Sequence, residues 1–338
     1  MNKKIKLIIS LFITLFTLVY NGCSIIYPNK NDDPTTKILS NTTCNNLEVY
    51  YLDLKNANNE TVIGDSTYIK CGDIDILIDA GKQNPGSNTV VPFLKDHVTD
   101  KKVELLIATH TDSDHIGGFV GLSNKEGVLS IEGFTYDYII DSGFIATTTI
   151  YTKYMELVNN SQAKICNAYD SIMNLNGCYK SFKIGNITLD IVDTSLYNSG
   201  TDEPNDRSIV TLLTYNEINF LFPGDLLDDE YLATQIGHID IFKASHHGAS
   251  SANSQTLLNA MTPDIIIMSA DGTSYDIPQQ DAIDRIYSLV NEVEVYATFT
   301  TGTIKVTSDG NTYNITCPNK ILLQDTDWFA QNRTLNWL

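Results

Sequence analysis

The sequence predicts an α/β sandwich in which two mixed β-sheets pack together with helices outside. Three observations carry that reading. Strand patterns crowd the start of the domain, strands and helical stretches then alternate through two successive halves, and no repeat at the short period of a solenoid runs through the chain. The chain has 338 residues, 42% hydrophobic and 9% aromatic. That exceeds the ~100–200 residues of one average domain but suits a single large α/β sandwich with dispensable ends and a sizeable core.

Leu47–Leu54 alternates as a strand should, and after a polar turn Ser66–Lys70 and Ile74–Asp79 continue as short strands of one sheet. Pro92–Val98 suits a short helix, and Val103–Ala108 is an apolar run whose length fits a buried strand. Thr147–Asn174 reads as mostly helical, and Ser181–Val192 as a hairpin turning at Gly185-Asn186. The strands Ile209–Tyr215 and Asn219–Phe222 flank Asn216-Glu217. Further strands are expected at Ile239–Ala244, Asp264–Ser269 and Glu292–Thr298, with helical stretches at Asp228–Gln235, Ser254–Met261 and Gln279–Val290.

The N-terminus has the three parts of an export signal: basic Lys3, Lys4 and Lys6, the uncharged apolar run Leu7–Tyr20, and small residues at Gly22-Cys23-Ser24. The run is shorter than the ~18–20 residues that span a bilayer comfortably; an uncleaved anchor is the alternative, and both place the domain outside the cytoplasm. Gly22-Cys23 is similar to the processing site of bacterial lipoproteins, where the cysteine becomes the lipidated first residue. The expected organisation is a signal peptide of lipoprotein type over 1–23, a polar tether over 24–46, the domain over 47–317 and an extension over 318–338. The domain is then held at the outer face of the membrane by a lipid anchor on Cys23, or secreted. In the extension, Trp328 and Trp337 are expected to pack on the domain.

The formal net charge is −19, from 22 basic and 41 acidic residues. It repels phosphate backbones and anionic headgroups at long range, which weighs against a protein that lives by clinging to DNA. Apart from Cys23, Cys44, Cys71, Cys166, Cys178 and Cys317 lack the close pairing of a thiolate zinc site, and an exported chain can form disulfides, with Cys166 and Cys178 a local candidate pair.

Three segments share one design, a buried-looking strand running into a short turn of ligand-type side chains. The first is His110-Thr-Asp112-Ser-Asp114-His115, two imidazoles and two carboxylates within six residues, followed by Gly117-Gly118. Divalent metals take such N and O donors at about 2.0–2.2 Å. The second is Phe220-Leu-Phe-Pro-Gly224-Asp225. The third ends in His246-His247; adjacent residues of an extended chain point to opposite sides, so one of the two is expected to bind metal.

Taken in order, these motifs resemble the metallo-β-lactamase-like domain of the competence protein ComEC and its exported relatives. The match includes Gly64-Asp65-Ser66, Leu77-Ile-Asp79-Ala-Gly81, the His-x-Asp-x-Asp-His-x-Gly-Gly block at 110–118, Asn205-Asp-Arg-Ser208-Ile-Val210, Gly224-Asp225 and His246-His247-Gly248. Tyr275-Asp-Ile-Pro278 resembles the family's closing Tyr-Gly-His-Pro segment, with Ile277 in place of its histidine. The resemblance implies the αββα sandwich of the metallo-β-lactamase fold and two divalent metal ions. It implies that His110 and Asp112 hold one metal, that Asp114 and His115 hold the second with His246 or His247, and that Asp225 bridges both. His247 is favoured as the ligand and His246 as the substrate-facing group. Asp112 stands where the larger superfamily has His. With three ligand carboxylates the site keeps a formal +1, and Mn²⁺ becomes a competitor to Zn²⁺.

Paired divalent ions ~3.5–4 Å apart are suited to hydrolysis. Asp79 is expected to support the ligands, Asp114 to serve the reaction as well as the metal, and Asn205 or Ser208 to orient substrate or donate to a developing oxyanion. The expected activity is that of an exported phosphodiesterase or nuclease-like hydrolase, acting on DNA or a cell-wall polymer. The alternatives are hydrolysis of another ester or amide, and a surface binding module with a structural or degenerate metal site.

Overall fold

Alternation along the strands decides the architecture. In β2 (Leu47–Tyr51), Leu47, Val49 and Tyr51 share one buried cluster while Tyr50 belongs to another, and in β5 (Lys102–Ala108) Leu105 and Ile107 part in the same way from Leu106 and Ala108. Successive side chains of a strand point to opposite faces, so a strand buried on both sides separates two cores. The structure, a computed structural model, describes residues 34–289 and 292–334. The segment expected as a signal peptide, with Cys23, and Trp337 lie outside the described residues.

The other strands are β1 (Thr36–Ser40), β3 (Thr67–Cys71), β4 (Ile74–Ile78), β6 (Thr135–Asp141), β7 (Lys164–Asn167), β8 (Ser181–Ile184), β9 (Ile187–Val192), β10 (Val210–Tyr215), β11 (Ile218–Phe222), β12 (Ile241–Lys243), β13 (Ile265–Met268), β14 (Glu294–Ala297), β15 (Ile304–Ser308) and β16 (Tyr313–Thr316). They form two eight-stranded sheets, ordered β16-β15-β2-β3-β4-β5-β6-β7 and β1-β8-β9-β10-β11-β12-β13-β14. Both are mixed: β4 to β7 run parallel in the first and β11 to β14 in the second, while the hairpin strands are antiparallel. The inward residues of the two sheets share one core, in which Tyr51 faces Phe222 with ring centroids 6.0 Å apart. A second core lies between the first sheet and the helices Val91–His97, Ser113–Val120 and Thr149–Asn160. A third lies between the second sheet and the helices Gln255–Met261 and Gln280–Tyr287. Helix, sheet, sheet, helix is the layering expected from the sequence.

Several boundaries need correction. The long helix expected over Thr147–Asn174 is broken: Thr149–Asn160 is helical, β7 follows and pairs with β6, and Ala168–Ile172 forms a short second helix. Cys166, inside β7, is bonded to Cys178. The segment expected as tether ends earlier than residue 46, because β1 joins the second sheet and Cys44 is bonded to Cys71 of β3. Glu230–Thr234 is a 3₁₀ turn rather than an α-helix. The extension packs on the domain through Asp327–Asn332, where Trp328 Nε1 donates to Gly272 O at 2.8 Å.

Gly118 brings the Ser113–Val120 helix against the turn after β4. A Cβ there would lie 1.9 Å from Ala80 O, and the Gly118 amide donates to Gly81 O at 2.7 Å. Backbone, not a flexible side chain, stands in the way. Gly118→Ala is expected to destabilise the fold by about 3 kcal/mol or more, measured by chemical denaturation, since the helix must move off the turn.

Candidate metal centre

The parallel strands set the site, because their C-terminal ends open on one edge of the sandwich. β4 delivers Asp79, β5 delivers Thr109 and His110, β11 leads to Gly224-Asp225, and β12 to His246-His247. Asp65 comes from the turn before β3. Asp112, Ser113 and Asp114 begin the helix that carries His115.

Asp79 organises the first group. Its carboxylate accepts from Thr109 N at 2.8 Å, from Thr109 Oγ1 at 2.7 Å and from His115 Nδ1 at 2.8 Å. Thr109 Oγ1, having given its proton to Asp79, can accept from His110 Nδ1 at 3.1 Å. His247 Nδ1 donates to Ser269 O at 2.8 Å, a carbonyl that can only accept. Each imidazole is thus held by Nδ1, and each turns Nε2 inward.

The three Nε2 atoms are buried without a hydrogen bond, as is Asp225 Oδ1. His115 Nε2 lies 3.1 Å and His247 Nε2 3.2 Å from Asp225 Oδ2, close but not aligned for donation. Buried polar atoms left unpaired are costly, and a set converging on one carboxylate fits metal ions. Ligand atoms of His110, His115 and Asp225 lie within 4.8 Å of one another, and so do those of Asp114, His115 and His247. The two groups overlap at His115, while Asp65, Asp225 and His247 form a further group, and the donor chemistry fits divalent cations.

Asp112 stands apart from these tight groups, with its Oδ2 3.8 Å from His110 Nε2 and its side chain 45% exposed at the cleft. His246 and His247 are not in extended chain: both occupy the left-handed region, at φ 48° and 57°, in a tight turn. Two consecutive non-glycine residues there store strain, as functional sites do. The turn still separates them, with His247 buried and His246 lining the cleft, its Nε2 3.9 Å from Asp225 Oδ2. Asn205 and Ser208 do not line the cleft. Ser208 is fully buried, and its Oγ accepts from Asp225 N at 3.1 Å, so it positions the carboxylate instead of touching substrate. Asn205 is buried with Oδ1 unpaired.

Lys243 was not singled out by sequence reasoning. Its ammonium is buried and ion-paired with Asp65, 3.4 Å from Gly224 O and 3.9 Å from Asp225 Oδ1. Asp65 in turn faces His247 Nδ1 at 3.3 Å. The signal was a lone charge in the apolar strand leading to the histidine pair.

Charge dominates the titration of the site. Burial pulls the His247 imidazole down, but the Asp225 and Asp65 carboxylates outweigh it and push it up to about 10. Burial likewise opposes, and Asp225 and Asp79 then overcome, so that His115 is raised well above the usual histidine range. Asp225 is held well below the carboxylate range, against burial, by His115 and His247. His110 goes the other way, lowered by burial and then by His115, and so is neutral before any metal arrives.

Two mixed sheets lie between helical layers, with this site at the strand ends. The chain has the αββα sandwich architecture expected from the sequence. No family model matches the sequence. One curated relative, Recombination protein 2 of Haemophilus influenzae, is 28% identical over 103 residues, which are 30% of this chain and 13% of that protein. Among solved structures, the metallo-β-lactamase fold protein YhfI from Bacillus subtilis is similar at a TM-score of 0.45 and 12% identity, covering 74% of this chain and 96% of that one. The short form of human tRNase Z is similar at 0.41 and 12% identity over 66% and 92%. A diphosphatase of the PhnP family is similar at 0.40 and 11% over 74% and 94%.

Imidazole must be neutral to ligate, so metal uptake by a site with protonated His115 and His247 releases protons. Calorimetric titration of the metal-free protein at pH 7.5 in buffers of different ionisation enthalpy should report about two protons released per chain, and affinity should rise with pH. Lys243→Met removes the ammonium paired with buried Asp65, leaving it only the His247 imidazole beside it, and should cost about 3 kcal/mol by chemical denaturation, while adding Asp65→Asn should recover part of the loss.

Proposed function

We propose that this chain is a phosphodiesterase dependent on two divalent metal ions and exported from the cytoplasm. The observation that carries the reading is the convergence of three buried, unpaired imidazole nitrogens on Asp225 at the floor of an open cleft. His110 and Asp112 are suited to hold one ion, Asp114, His115 and His247 the other, and Asp225 to share both. When bound, such a pair activates water and offsets charge developing on the phosphoryl oxygens. Three carboxylates make the donor set hard enough for Mn²⁺ to compete with Zn²⁺.

The chain's own groups do the rest. His246, partly exposed beside Asp225, meets the substrate's phosphoryl oxygens, and Ser250 and Ser251 line the same wall. Ser208 fixes the Asp225 backbone, and Asp79 fixes the ring of His115. Export rests on the N-terminal sequence, with Cys23 as the site of a lipid anchor.

Metal analysis of the chain without residues 1–24 should find two ions per molecule. Hydrolysis of bis(p-nitrophenyl) phosphate, assayed with Mn²⁺ and with Zn²⁺ separately, should fall by about 10³-fold or more in Asp225→Ala. Two bound ions with no turnover of any phosphodiester would overturn the reading.

A further inference from the structure

The cleft above Asp225 has a volume of ≈ 590 Å³, and no lysine or arginine is among its lining residues. Asp112 and Asp114 line it as groups suited to hold metal, and Glu203 is near enough to act on Asp112 electrostatically. Lys243 is turned beneath the floor and neutralised by Asp65. Proteins that track nucleic-acid backbones line their grooves with cations. Here the metal set alone, at a formal +1, would attract substrate, and that matches the single negative charge of one phosphodiester.

The cleft does present an aromatic ring. Tyr275 lines it, yet is 76% exposed. Tyr275 and Asp276 both take left-handed backbone, at φ 55° and 58°. The turn is braced from several sides. Ser274 Oγ donates to Asp271 Oδ2 at 2.6 Å and Gln279 Nε2 to Tyr275 O at 3.0 Å. Arg333, from the C-terminal arm, donates to Asp276 Oδ1 at 3.0 Å and to Pro278 O at 2.6 Å while lying over the Trp328 ring. The braced turn thus sets the backbone from which the Tyr275 ring is presented to the cleft. Ile150, partly exposed, lines the same cleft, while Ile63 and Ile277 back it as buried side chains.

We infer, on the basis of the phosphodiesterase reading above, that Tyr275 is a stacking platform and that the substrate is a short, singly charged phosphodiester with a planar ring on one arm. Water oxygen bonds to phosphorus, the ester P–O bond breaks, and the departing alcohol takes up the proton, giving a phosphomonoester and a free alcohol.

The test uses the metal-loaded protein and steady-state hydrolysis of a dinucleotide, a 20-residue single strand and bis(p-nitrophenyl) phosphate. The dinucleotide should be cleaved with at least about tenfold higher kcat/KM per bond than the single strand at low salt, and added salt should raise the rate on the strand. Tyr275→Ala should raise KM for the dinucleotide about tenfold with kcat changed less than twofold, and Tyr275→Phe should restore KM. In direct binding followed by calorimetry, affinity for a nucleoside monophosphate should weaken in Tyr275→Ala by a similar factor, while affinity for inorganic phosphate holds steady. Turnover with an unmoved KM in Tyr275→Ala, or a single strand preferred with rates that fall as salt rises, overturns the inference and leaves the phosphodiesterase reading standing. No turnover of any phosphodiester overturns both.

Discussion

The carboxylate of Asp79 is the fixed point of the site. It takes both the amide and the hydroxyl of Thr109, which ties the end of β4 to the end of β5, and it takes the Nδ1 proton of His115, which ties the following helix to both. Through Thr109 it also orients His110. One acceptor therefore sets the ring positions of two of the three imidazoles, and Asp79 adopts left-handed backbone, at φ 59°, to reach them. An amide at this position could not accept all three hydrogen bonds with both of its ends.

Burial of charge explains why the rest of the site is so densely paired. A carboxylate or ammonium removed from water is tolerated only with partners. Asp225, Asp65 and Lys243 are each nearly inaccessible, and each satisfies part of another. Lys243 thus lets two carboxylates sit close together beneath the cleft. The same pairing leaves the cleft without a lysine or arginine in its lining, because Lys243 faces inward to Asp65.

Legibility in the sequence followed physics. The strands that carry ligands were readable because they are buried on both faces and end in turns that no packing argument requires, and Asp79 stood out at the end of such a strand. β7 was hidden because Lys164–Asn167 is short, edges its sheet and sits between two helices, so local composition favours helix across it. β1 was hidden in polar sequence; its place is fixed by strand pairing and by the nearby Cys44–Cys71 bond rather than by apolar content. The roles of Ser208 and Lys243 depend on which way a side chain turns at a strand end, and a one-residue difference there reverses it. The extended backbone expected at His246-His247 is instead a left-handed turn, which buries His247, leaves His246 partly exposed, and brings the Nε2 atoms of His247 and His246 to 3.2 and 3.9 Å from Asp225 Oδ2.

The two sheets do not contribute alike. His110, Asp114 and His115 ride on the first, Asp225 and His247 on the second, and what holds the two at their spacing is the shared core, including the contact of Tyr51 with Phe222 just before the Gly224-Asp225 turn. The jaws of a vice are set by its screw. Here side-chain volume in the sandwich interior acts as the screw, so a substitution buried well away from any ligand would alter the gap across which the ligands must meet, and the interior inherits a dimensional tolerance from the chemistry at its rim.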